Sequence, residues 1–208
     1  MSAFLGPIHY WLYGKIRIQE EMIRSAAACG EAQGWQELTE ALRAETVSGE
    51  LRPLEELIDT ANIHGWLQDR IHDAEGRYAR LVTALLTGHA ERMQELKSTL
   101  YRLGEAHGVA ADADARDAYQ AFEDSLLNGM PCDRVNVLTE QETGRCSWRQ
   151  TSDIHGQYWA AAGGDAAVYY VLRTAFMEGM LSRSGLHLTE AEDFAYTVTA
   201  ERQDVKDL

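Results

Sequence analysis

Apolar residues recur at helical spacing along most of the first 127 positions, and one stretch of that pattern is written twice. Gly6-Pro7 suits a helix start, because proline presets φ and has no amide to leave unbonded. After it, Ile8, Leu12, Ile16, Ile23 and Ala27 fall on one face, which predicts a helix over 7–28. Trp35, Leu38, Ala41 and Leu42 predict a second over 35–47, stopped by Gly49. Ile63, Leu67, Ile71, Ala74, Tyr78, Leu81 and Leu85 predict a third, with Asn62 as its N-cap.

The duplicated stretch is Ile8-His9-Tyr10-Trp11-Leu12 with Lys15-Ile16, repeated as Ile63-His64-Gly65-Trp66-Leu67 with Arg70-Ile71. His9 and His64, Trp11 and Trp66, and Glu20 and Glu75 are each 55 residues apart. Gly88 follows Gly34 by 54 residues, and Glu91, Leu96 and Lys97 stand opposite Glu37, Leu42 and Arg43 at that offset. The repeat therefore predicts a duplicated helical hairpin. Two hairpins make an antiparallel four-helix bundle. A third, fainter copy is Ile154-His155-Gly156-Gln157-Tyr158-Trp159.

Beyond the repeat, a fifth helix is expected over 112–127, ended by Asn128-Gly129-Met130-Pro131. Residues 134–139 and 145–150 read as two strands of a small β hairpin around a turn at 140–144. A long helix capped by Ser152 or Asp153 follows, with Gly163-Gly164 as a kink or a point of close helix contact. Leu186-His187 reads as a loop, 189–192 as a capping box, and 194–199 as a strand in preference to more helix. Residues 201–208 read as loose. The expected fold is mainly α. Residues 1–130 form the duplicated helical-hairpin bundle, and residues 131–208 add the β hairpin and long helix to the same structural domain.

Charge narrows the partners. With 19 Lys+Arg against 33 Asp+Glu, the formal net charge is −14, and no basic run exists to displace counterions from nucleic acid or an anionic membrane. The 3 cysteines, Cys29, Cys132 and Cys146, form no CxxC and suit a reducing cytoplasm. The first seven residues lack a basic stretch and an apolar core, so no signal peptide is expected, and no apolar run is long enough to span a bilayer.

The repeated histidine is the leading chemical candidate. In the expected bundle the first and third helices are parallel and diagonal, which sets His9 beside His64 at one end. His155, with Asp153 two residues earlier, could complete a metal site for iron or zinc. Trp11, Trp66 and Tyr158 cluster with the Ile-His starts and would wall a pocket for a flat cofactor such as haem. The plainer reading is that these residues pack helix ends. Glu20 and Glu75 resemble paired bundle carboxylates, but no Glu-x-x-His occurs, and Glu20 can pair with Arg24 one turn on. Cys132 has no fixed base beside it, and no phosphate-cradling glycine motif is present. The expected function is a cytoplasmic bundle binding a transition metal or haem-like cofactor. The rival is a metal-free module for small-ligand binding, sensing or protein interaction, with a homo-oligomer as one form. Neither reading says whether the protein is an enzyme.

Overall fold

The computed structural model describes residues 4–50 and 52–200. Among them are seven α-helices and a sheet of four antiparallel strands. The helices are α1 (Pro7–Ala32), α2 (Glu40–Thr46), α3 (Ile63–Leu86), α4 (Met93–Ala106), α5 (Ala115–Ser125), α6 (Gly156–Ala161) and α7 (Ala166–Leu181). The strands are β1 (Asn136–Gln141), β2 (Arg145–Gln150), β3 (Leu186–Ala191) and β4 (Ala195–Ala200), in the order β1-β2-β4-β3. None of these helices is long and apolar enough to cross a membrane.

The repeated motif explains how α1 meets α3. Its leucine and isoleucine, Leu12 and Ile16 in one copy and Leu67 and Ile71 in the other, share a buried cluster with Leu54, Ile58 and Leu127. Contacts run in the same order along both helices: His9 meets His64, Tyr13 meets Trp66, and Glu20 meets Arg77. The two helices are therefore parallel and side by side, not diagonal across a bundle. The second half of the repeat diverges. The 35–47 stretch yields only the 7 residues of α2, against 14 in α4, because Thr39 takes the cap role by accepting from Leu42 N–H. The expected four-helix bundle from a duplicated hairpin is corrected accordingly.

The larger core joins the later halves of α1 and α3 to α4, α5, α7 and the sheet, with Trp148, Trp159, Phe176 and Tyr196 among its buried residues. Gly104 on α4 faces the Phe176 backbone, and Gly179 on α7 faces the Tyr101 backbone, so these helices touch main chain to main chain. The expected long helix is two. Gly163 breaks it at φ +73°, and Gly164 sits against Thr83 of α3 where a side chain has no room. The expected hairpin forms with a bulge after Leu138, and β4 extends it into a larger sheet. The 186–191 segment, expected as a loop and capping box, is β3, paired along its length with β4. The expected loose tail, 201–208, lies outside the described residues.

Candidate functional site

The two repeat histidines stand together, with ring centroids 5.6 Å apart. Their backbones differ in how they cap. His9 Nδ1 accepts a hydrogen bond from the Gly6 N–H at 2.9 Å, whereas in the second copy Asn62 performs that task for Gly65. With Nδ1 accepting, the neutral His9 ring carries its proton on Nε2. Coordinating a metal through Nε2 would move that proton and break the cap.

His155 and Asp153 lie elsewhere. His155 Nδ1 meets Glu75 Oε1 at 3.1 Å. Glu75 is eleven residues beyond His64 on the same helix, about 16 Å away at ~1.5 Å rise per residue. The His155 ring has no exposed surface and stacks on Tyr169 at 3.8 Å. Asp153 Oδ1 accepts from the backbone N–H groups of His155 and Gly156 and from the Tyr170 hydroxyl. Burial works to raise the Asp153 carboxyl, but these bonds outweigh it and hold it below its ordinary range. The Tyr170 hydroxyl also accepts from Gln150, whose amide oxygen accepts from Arg173 at 2.6 Å. This chain of bonds ties α6, α7 and β2 together inside the protein. No group of three or more His, Cys, Asp or Glu able to hold a metal occurs among the described residues.

The expected aromatic wall also divides. Tyr158 packs on His72, Trp66 lines one cavity, and Trp11 lines another. Each repeat tryptophan carries the basic residue of its own motif over its ring: Lys15 Nζ is 4.0 Å from the Trp11 centroid, and the Arg70 guanidinium is 5.7 Å from that of Trp66. Glu20 pairs with Arg77, not with Arg24, and Arg77 also bonds Asp73 at 3.0 Å and the Thr46 carbonyl at 2.8 Å.

The two copies part in their solvent. Arg70 and Arg17 are exposed at the rim of a cavity of about 270 Å³. Lys15 is 2 % exposed. Its helix face is covered by α5 and by the chain leading into β1, which together flank an open cavity of about 370 Å³. Around it stand Trp11, Lys15, Glu123, Asn128, Met130, Arg134, Val135, Asn136 and Val137.

This cavity is polar in an unfinished way. Glu123 Oε1 accepts from the side-chain amides of Asn128 at 3.2 Å and Asn136 at 2.6 Å. The Oδ1 atoms of both asparagines are buried without a hydrogen-bond partner. Trp11 Nε1 donates to Asp124 at 2.8 Å, which fixes the indole. Arg134 occupies the left-handed region at φ +48°, an uncommon conformation for a residue with a side chain. Among the described residues no hydrogen bond or ion pair reaches the Lys15 ammonium.

Burial pushes Lys15 down from its ordinary 10.5 to about 8, aided by Arg173 and opposed by Glu123 and Asp124. Because the folded value lies below the unfolded one, the unfolded chain holds this proton more tightly between pH 8 and 10.5. The charged lysine thus opposes folding at neutral pH, and its penalty is relieved as pH rises through that window. A residue that costs stability and lines a cavity is a candidate for chemistry. The sequence pattern singled out neither this role for Lys15 nor Glu123, Asn128 and Asn136. One signal was present: Lys15 follows Leu12 by three residues and precedes Met22 by seven, so it shares the apolar stripe.

Searches of protein-family models, of curated proteins and of solved structures find no match to this chain.

Proposed function

We propose that the protein binds a small organic acid in the Lys15 cavity, as a metal-free ligand-binding module. The observation that carries this reading is the desolvated Lys15 ammonium, held over the Trp11 ring with no hydrogen-bond acceptor and facing about 370 Å³ of space. That volume falls in the range of small-molecule sites. A carboxylate would supply the acceptor that Lys15 lacks, with Arg134 at the rim as a second cation. An apolar body would rest on Trp11, Met130, Val135 and Val137. A cytoplasmic location accords with three cysteines that stand as free thiols.

A metal or haem held by His9 and His64, with Trp11 and Trp66 beside it, is the second reading. Their 5.6 Å separation favours it, and the His9 cap opposes it.

Titration calorimetry with lactate and phenyllactate tests the first reading. Saturable binding is expected in the unaltered chain, with affinity reduced at least about tenfold in Lys15→Met, the loss of one charge-assisted hydrogen bond. Equal affinity in the variant, or no heat with either acid, overturns it. Zinc chloride in the same cell separates the metal reading, since only that reading predicts saturable uptake abolished by His9→Ala.

A further inference from the structure

We propose that Lys15 is an amine nucleophile that forms an imine with a 2-oxo acid bound in this cavity. The proposal rests on the organic-acid reading and adds a covalent step to it. Its geometric basis is that the Lys15 side chain is 2 % exposed yet reaches a cavity of about 370 Å³ with no acceptor bonded to its nitrogen. A lysine kept for structure would be paired with a carboxylate or would extend into solvent. This one lies over the indole of Trp11, which Asp124 holds in place.

The charged groups facing Lys15 come from two neighbouring elements: Glu123 and Asp124 on α5, and Arg173 on α7. Desolvation is the larger influence, and it leaves roughly a tenth of the amine unprotonated at pH 7, where an ordinary lysine has far less than one part in a hundred. Lysines so placed serve as Schiff-base nucleophiles.

The step balances without an oxidant or reductant. The free amine gives its lone pair to the carbonyl carbon, and a C–N bond forms while the carbonyl π pair moves to oxygen. That oxygen takes up a proton and the nitrogen loses one, which gives a carbinolamine. The hydroxyl leaves with a further proton as water, and the nitrogen lone pair closes the C=N bond to give a protonated imine, which returns a proton from nitrogen to become the neutral imine. Glu123, on the cavity wall, exchanges these protons. Arg134 takes the carboxylate at the rim.

The chain has 3 lysines, Lys15, Lys97 and Lys206, so the other two are internal controls. The test is incubation of the full chain with pyruvate or phenylpyruvate and cyanoborohydride, which delivers hydride to the imine carbon and fixes it as a secondary amine. Peptide mass mapping then locates the adduct. The expected result is modification of Lys15 at least about tenfold above Lys97, increasing from pH 6 to 8 as the amine deprotonates, and absent from a folded Lys15→Arg variant. Modification spread evenly over the lysines and the N-terminal amine overturns the proposal. Saturable binding of phenyllactate with no adduct on Lys15 overturns imine formation alone and leaves the organic-acid reading standing. Absence of both binding and adduct overturns the two together.

Discussion

Gly179→Ala is expected to destabilise the protein by about 3 kcal/mol or more, because the added methyl has nowhere to go. A Cβ at that position would stand 2.0 Å from the Tyr101 carbonyl oxygen of α4, and one at Gly104 would stand 2.1 Å from the Phe176 carbonyl oxygen of α7. Both obstacles are backbone, so no rotamer change relieves them. The helices must separate, and with them the contacts of Leu100, Phe176 and Met180 in the larger core. Gly14→Ala and Gly76→Ala are the controls, since nothing lies within 4 Å of a Cβ there. At those half-buried but open helix positions alanine is expected to stabilise by roughly 0.5–1 kcal/mol. Urea unfolding reads both signs. A Gly179→Ala midpoint equal to that of the unaltered chain would contradict the close α4–α7 contact.

Arg77→Met has the second large effect expected, a loss of about 3–5 kcal/mol. Arg77 grips Glu20 of α1 with both terminal nitrogens, bonds Asp73 on its own helix, and donates to the Thr46 carbonyl that ends α2. The Glu20 and Arg77 side chains are 10 % and 15 % exposed, so removing the cation strands a carboxylate that water barely reaches. Adding Glu20→Gln to Arg77→Met is expected to recover much of the loss, because the stranded charge, more than the missing contact, is what costs. A double variant as unstable as the sum of the two singles would assign the effect to packing instead.

The repeat made α1 and α3 legible, because Leu12, Ile16, Leu67 and Ile71 mark their faces and Asn62 marks a start. Its second half misled, because Thr39 offers the chain a cap inside the apolar pattern and delays α2. β3 was hidden for a related reason. Thr189 and Glu192 mimic a capping box, and only the pairing with β4 shows that the segment is extended. The candidate site was the least legible part. Lys15 and Arg70 occupy equivalent places in the motif, yet one is buried and the other exposed. What separates them is α5 and the 128–137 segment, which cover one copy and not the other. A repeat announces which residues correspond, whereas the solvent around each is decided by chain far away in sequence. His155 shows the same thing. Its Ile-His resembles the other two, but its partner Glu75 draws it to the middle of α3, not to the end where His9 and His64 meet.

An NMR titration of the lysine side chains, labelled with ¹³C at Cε, measures the state of the Lys15 amine most directly. With 3 lysines in the chain the spectrum is simple, and Lys15→Met assigns the signal of interest. The Lys15 resonance is expected to titrate near 8 and to move when phenyllactate is added. All lysines titrating together near 10.5, with none responding to the acid, would contradict a desolvated, unpaired amine in the cavity and the function built on it.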